Sequence, residues 1–217
     1  MWFKACIFDL DGVIVDTAKY HFLAWKRLAD GMGINFTERD NERLKGVSRM
    51  ASLEIILEIG KRNLPMDEKE KLADKKNRWY VEYISRMTPD EILPGTLEFI
   101  SCLKNENIRI ALGSASKNTP MILDRVGMAN LFDAVADGNV VHKAKPDPEV
   151  FLKAASMLGI RPAYCVVFED AVAGVEAALN AGMKCVGIGN REVLSDAHAV
   201  VKGLNEMTLE KLIVLEK

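Results

Sequence analysis

The sequence predicts an α/β protein: a Rossmann-like parallel-sheet core with a helical cap domain inserted after the first strand. Three observations carry that expectation. From about Pro94 onward, short runs that are apolar throughout alternate with helix-period segments, the pattern of a parallel sheet covered on both faces. Between about Thr17 and Met87 no strand-like run occurs, and apolar residues recur at helical spacing. Four polar clusters fall just past strand-like runs, at the sheet edge where open α/β folds bind ligands.

The elements follow in order. After Met1-Trp2 the run Phe3-Lys4-Ala5-Cys6-Ile7-Phe8 reads as the first strand, stopped by Asp9-Leu10-Asp11-Gly12, so a signal peptide has no room. In the insertion, Phe22, Trp25, Leu28, Ala29 and Met32, then Leu53, Ile56 and Leu57, mark buried helical faces. The charge run Asp67-Glu68-Lys69-Glu70-Lys71 reads as a solvated helix face. The chain crosses between the two parts near 14–17 and 85–93, which divides it into a core of 1–15 and 93–217 and a cap of 16–92.

Beyond the insertion, Leu97, Ile100 and Leu103 mark one helical face, and Ile108 to Leu112 is the next strand. Met121, Leu123 and Val126 belong to a further helix, and Ala134-Val135-Ala136 is a weaker strand. Asp147-Pro148-Glu149 reads as a helix start, with Asp as N-cap and Pro at the first helical position. Tyr164 to Phe168 is an unbroken apolar strand, followed by an Ala-rich helix from Val172 to Ala181 that Gly182 closes. Lys184 to Ile188 and His198 to Val201 are two more strands, and Thr208 caps the final helix.

Composition bounds the rest. The chain has 217 residues, room for one large or two small domains, with 49% hydrophobic and 28% charged residues. Its 29 Lys and Arg against 31 Asp and Glu leave a net charge of -2, which argues against nucleic acid as a partner. No apolar run approaches the ~18 residues that a membrane span needs. Cys6, Cys102, Cys165 and Cys185 form no C-x-x-C pair and have no neighbouring His, so they read as reduced, mostly buried thiols of a cytoplasmic protein. Disulfide scaffolds, zinc modules and secreted enzymes are disfavoured.

The polar clusters are Asp9-Leu10-Asp11, Gly113-Ser114-Ala115-Ser116-Lys117, Lys145-Pro146-Asp147 and Glu169-Asp170. Any one of them alone reads as a helix cap. Together, Asp9, Asp11, Glu169 and Asp170 bring up to four negative charges to one place, which demands a cation. Carboxylates without Cys or His favour a hard ion, and Mg²⁺ suits a site completed by phosphate and water. Lys145 and Ser114 add a cation and a hydroxyl for phosphate oxygens. The set points to phosphoryl transfer, and the absence of a G-x-x-x-x-G-K-[ST] loop removes the usual reason to expect a nucleotide donor. Asp9, ionised at neutral pH, is placed to attack phosphorus, and Asp11, two residues on, to serve as general acid and base.

These residues identify a resemblance. Asp9-Leu10-Asp11-Gly12-Val13-Ile14-Val15-Asp16-Thr17, Ser114, Lys145-Pro146 and Glu169-Asp170 resemble the four ordered motifs of the haloacid dehalogenase-like phosphotransferases, with the insertion as their cap. Within that superfamily, His21 to Lys26, Leu44-Lys45-Gly46-Val47-Ser48-Arg49, Lys76-Asn77 and Ser114 to Asn118 are similar to the β-phosphoglucomutase family. The resemblance implies Mg²⁺-dependent interconversion of β-D-glucose 1-phosphate and 6-phosphate through a 1,6-bisphosphate. By position, it implies Asp9 as nucleophile and Asp11 as acid/base, with Asp9, Asp11 (through its backbone carbonyl), Glu169 and Asp170 at the metal. Ser114, Ala115 and Lys145 would hold the transferring phosphate, and Arg49 with Ser116, Lys117 and Asn118 the other one. His21, Lys76, Gly46, Val47 and Ser52 would line the sugar site, Thr17 would stand at the hinge, and Lys145-Pro146 would be cis. Ala171, in place of a Ser, and Gly113, in place of an Ala, depart from the pattern.

A mutase must exclude water and grip a second phosphate, for which the Arg49 guanidinium is suited. The competing reading is a sugar-phosphate phosphatase on the same fold, with water as acceptor. A phospho-Asp receiver module is disfavoured because its acceptor should follow a middle strand, and a non-catalytic binder because Asp9 and Asp11 are intact. A monomer is expected.

Overall fold

The computed structural model describes residues 3–215, so the Met1-Trp2 lead-in lies outside the described residues. Six strands form one sheet: β1 (Ala5–Phe8), β2 (Arg109–Gly113), β3 (Ala134–Ala136), β4 (Cys165–Glu169), β5 (Lys184–Ile188) and β6 (Ala199–Val201). Their order is β3-β2-β1-β4-β5-β6 and every pairing is parallel. The helices in chain order are α1 (Ala18–Gly31), α2 (Glu38–Asn41), α3 (Arg49–Ile59), α4 (Met66–Ile84), α5 (Thr96–Asn105), α6 (Thr119–Arg125), α7 (Glu149–Leu158), α8 (Val172–Asn180) and α9 (Leu209–Val214).

The wholly apolar strands are explained by burial on both faces. Cys6, Phe8, Ile110, Leu112, Val166 and Phe168 enter one core cluster with α5, α6 and α9. Their alternating neighbours Ala5, Ile7, Ala111, Cys165 and Val167 enter a second with α7 and α8. Strand side chains alternate faces, so each strand feeds both cores. A third cluster lies within the insertion, where Trp25, Leu28 and Ala29 of α1 meet Leu53, Ile56 and Leu57 of α3; Phe22 and Met32 pack at its edge, partly buried. The two segments that join insertion and core pair with each other: Asp16 N–H donates to Glu91 O and Leu93 N–H to Ile14 O, each at 2.9 Å.

Several local expectations shift by a residue or a face. The first strand starts at Ala5, the second runs one residue past Leu112 to Gly113, and the last starts at Ala199. Leu97 is 49% exposed, because the buried face of α5 is Thr96, Phe99, Ile100 and Leu103, and Leu97 lies beyond its edge. Met121 is also exposed, on the outer side of α6. Asp147 stands one place before the N-cap; Pro148 takes that position, and Asp147 Oδ1 instead accepts from Glu149 N–H at 3.0 Å. Thr208 does cap α9, accepting from Lys211 N–H at 3.3 Å. All four cysteines are free.

Candidate active site

Sheet order and register assemble the site. Phe8 is the partner of both Leu112 and Phe168, so Asp9, Gly113 and Glu169, each one residue on, leave β1, β2 and β4 at one level. The Asp9 N–H donates to Phe168 O at 2.9 Å, which carries the pairing one step beyond the strand. Gly113 is required by packing: a methyl there would lie 2.9 Å from the Phe151 ring. Lys145 enters from the segment between β3 and α7 through a cis Lys145-Pro146 bond. Its buried Nζ stands 2.5 Å from Asp9 Oδ1 and 2.8 Å from Glu169 Oε2.

One ammonium among so many carboxylates leaves excess negative charge. Burial, then the Asp9 and Asp170 charges, push Glu169 up to about 8 against the pull of Lys145. Asp170 is pushed up to about 7 by burial and Asp9, with Lys45 and Lys145 opposing. Burial lowers Lys145, but Asp9 and Glu169 outweigh it and the net shift is upward. Oxygen atoms of Asp9, Glu169 and Asp170 lie within 4.8 Å of one another, an all-oxygen donor set that can hold a metal ion. Glu169 is the most engaged of the three, since Oε2 accepts from Lys145 and Oε1 from Ala171 N–H.

Asp11 is held apart from that cluster. Its Oδ1 accepts from the buried Thr17 hydroxyl, and His21 Nε2 stands 3.9 Å away. Burial and the Asp9 charge push Asp11 up to about 6, against the Thr17 hydrogen bond and Lys145. A carboxyl near neutrality can both give and take a proton.

A cavity of about 540 Å³ lies between insertion and core. From the core it is lined by Asp9, Asp11, Ala115, Ser116, Lys117, Asn118, Lys145 and Asp170, and from the insertion by His21, Gly46, Val47, Arg49, Ser52 and Lys76. Ser114, Thr17 and Glu169 stand behind that wall, each fully buried. Ser114 Oγ accepts from Ser116 N–H at 3.1 Å, which orders the turn carrying Ser116, Lys117 and Asn118. Arg49 is half-buried, 3.9 Å from Asp74.

Lys76 is a buried cation from α4. Its Nζ lies 3.0 Å from His21 Nδ1 and 4.6 Å from each of the Trp25 and Tyr80 ring centres. Burial and then Arg49 pull it down to about 7, with Asp11 opposing. Burial, Lys76 and Arg49 also hold His21 well below its ordinary value, so its ring is neutral. A neutral ring that accepts from Lys76 at Nδ1 carries its proton on Nε2, the atom facing Asp11. Trp25, read as cap core, is 2% exposed and floors this pair as well.

Three residues of the site escaped the sequence reading. Lys45 reaches to 3.9 Å from Asp170 Oδ2, Asn118 Nδ2 donates to Asn77 Oδ1 at 3.2 Å, and Tyr80 packs on His21 at 4.1 Å between ring centres. Lys45 and Asn77 lie inside motif strings, but no spacing rule singles them out.

The family profile described as haloacid dehalogenase-like hydrolase matches residues 3–182. The chain belongs to the haloacid dehalogenase-like hydrolases. Within the family it is similar to the β-phosphoglucomutase of Bacillus subtilis (strain 168), with 48% identity over 96% of this chain and 93% of that one. It is also 32% identical to the phosphorylated carbohydrates phosphatase of Thermotoga maritima, over 92% of this chain and 90% of that one. The crystal structure of β-phosphoglucomutase from Clostridium difficile superposes with a TM-score of 0.93 at 43% identity, covering 98% of this chain and 96% of that one. The superposition covers both the six-stranded parallel sheet and the helical insertion of this chain.

Proposed function

We propose that the chain is a phosphomutase that interconverts β-D-glucose 1-phosphate and glucose 6-phosphate through an aspartyl-phosphate enzyme and the 1,6-bisphosphate. The observation that carries the reading is one cavity whose wall holds the Asp9–Lys145 pair and two further cations, Arg49 from the insertion and Lys117 from the core, beside Ser116 and Asn118. A bisphosphate needs a second phosphate grip besides the one at Asp9 and Lys145, and the 48% identity to a β-phosphoglucomutase agrees with that use.

An Asp9 carboxylate oxygen attacks phosphorus in line and the bond to the sugar oxygen breaks. Asp11 gives that oxygen its proton. In the reverse half, Asp11 takes the proton of the acceptor hydroxyl as that oxygen attacks the aspartyl phosphate. Lys145 balances charge on the phosphoryl oxygens, and Ser114 and Ala115 shape the turn that faces them. Asp9, Glu169, Asp170 and the Asp11 backbone carbonyl would hold Mg²⁺, which when bound neutralises charge on the transferring group. Arg49, Ser116, Lys117 and Asn118 grip the second phosphate, while His21, Lys76, Gly46, Val47 and Ser52 surround the sugar. Residues 16–92 act as the cap, with Thr17 at the hinge, and 1–15 with 93–217 as the catalytic core. One chain supplies every one of these groups, which supports a monomer, and four free cysteines suit a reducing cytoplasm.

The test is ³¹P NMR of the protein with Mg²⁺, β-glucose 1-phosphate and a trace of the 1,6-bisphosphate. Growth of glucose 6-phosphate with little free phosphate is expected, and Asp9→Asn should abolish it. Steady release of inorganic phosphate would mean that water is the acceptor and the phosphatase reading holds.

A further inference from the structure

Among the described residues, one buried side-chain polar atom has no hydrogen-bond partner: the hydroxyl oxygen of Tyr80. Tyr80 stands on α4 in the wall of the substrate cavity and is fully buried. Its ring is already committed, to His21 on one side and to Lys76 above it. Phenylalanine would make the same contacts without burying an idle hydroxyl, which carries a desolvation cost. The polar side chains that bear on this hydroxyl are those of Asp11, Thr17 and Arg49.

A second irregularity lies beside it. Thr17 occupies the N-cap position of α1, where a threonine hydroxyl ordinarily accepts from the helix, yet it makes no capping bond. Its hydroxyl is turned to Asp11 and gives that carboxylate its single proton. A hydroxyl that donates still has lone pairs to accept with. Thr17 is itself fully buried, α1 and α4 pack side by side, and the Thr17 hydroxyl is the neighbour poised to accept the Tyr80 O–H.

We propose that Tyr80 is a positioning residue for the acid/base step: with the sugar phosphate seated, its hydroxyl donates to Thr17, fixes the direction in which Thr17 donates to Asp11, and so holds the Asp11 carboxylate toward the reacting oxygen. The role rests on Asp11 serving as acid and base in the reaction proposed above. Tyr80 touches no reacting atom; it acts through Thr17.

The experiment is a double-mutant cycle with Tyr80→Phe and Thr17→Val, read as kcat, KM and Tm. Tyr80→Phe is expected to lower kcat about tenfold, move KM by less than about twofold and leave Tm unchanged or raised. In the Thr17→Val background the Tyr80 substitution should have no further effect, because the two act in series. Thr17→Ser, which keeps the hydroxyl, should restore the full Tyr80 effect and serves if Thr17→Val fails to fold. A kcat for Tyr80→Phe within about twofold of the wild type, a loss carried by KM, or losses that multiply in the double variant would each overturn the proposal. The wild type is first assayed by ³¹P NMR. Release of inorganic phosphate there refutes the mutase reading alone, and the cycle is then read on phosphate release, since Asp11 would serve water in the same way.

Discussion

Asn77, on the insertion, and Asn118, on the core, share a hydrogen bond of 3.2 Å at the rim of the cavity. Asn118 lies on the turn that Ser114 orders, and Asn77 follows Lys76 on α4, so this bond ties that turn to the insertion side of the cavity. Removing one such bond is worth about 1 kcal/mol, or about fivefold in an equilibrium. Asn77→Ala should therefore raise the KM for bisphosphate about fivefold and increase the free phosphate seen by ³¹P NMR. Unchanged KM and unchanged phosphate release would show that the bond does no work in closure.

The loop Lys45-Gly46-Val47 meets the core at Asp170 and Ala171. Gly46 has φ +71°, and a methyl there would lie 3.0 Å from the Ala171 Cβ. Gly46→Ala thus adds left-handed strain to a close contact. We expect kcat/KM to fall about tenfold. Adding Ala171→Gly should recover part of the loss, because it removes the contact and leaves the strain. Full recovery would assign the whole effect to the contact.

Lys76 gives the stability a pH dependence with a definite sign. Its folded pKa is lowered from 10.5 to about 7, so between those values the unfolded chain binds more protons and stability rises with pH. Burial of the charge is the main cause, Arg49 adds to it, and Asp11 opposes it; His21, the direct partner, is neutral. Below about 7 the penalty is present in full. Lys76→Met should therefore be more stable than the wild type at pH 6 in urea titrations, with the difference shrinking as pH rises through 7 to 10. A difference independent of pH would locate the effect in packing.

The carboxylate cluster predicts a metal-linked stability that does not depend on turnover. A ligand at 100 times its dissociation constant stabilises by about 2.7 kcal/mol. Mg²⁺ should raise Tm and a chelator should reverse it, while Asp170→Asn should start from a higher metal-free Tm and lose most of the Mg²⁺ response. An undiminished response in Asp170→Asn would remove Asp170 from the ligand set.

Much of this site is legible in the sequence, for reasons that are local. Wholly apolar strands with polar residues at their ends announce a doubly covered parallel sheet, and Asp9, Gly113 and Glu169 each stand one residue past Phe8, Leu112 and Phe168. Once β1 lies between β2 and β4, nothing further is needed to bring Asp9, the turn after Gly113 and the acidic pair Glu169-Asp170 together. Helical periodicity likewise marked Trp25, Leu28, Leu53 and Ile56 as buried.

Other features are set by distances that no pattern along the chain encodes. Leu97 has the right residue type for a core face and lies outside it, because the neighbouring sheet covers Phe99 and Ile100 instead. The pairing of Lys76 with His21, 55 positions apart, and of Asn77 with Asn118, 41 apart, depends on how α4 lies across α1 and α6. The sequence by itself determined the sheet, the helical insertion and the carboxylate–lysine set at the strand ends, since strand period and residue chemistry are properties of short segments. Only the tertiary structure decided which insertion side chains face that set, that Lys76 is dehydrated against Trp25 and Tyr80, and that the Tyr80 hydroxyl is left without a partner beside Asp11 and Thr17. Burial and hydrogen bonding are settled by what packs against a residue, and here the packing partner comes from a distant part of the chain.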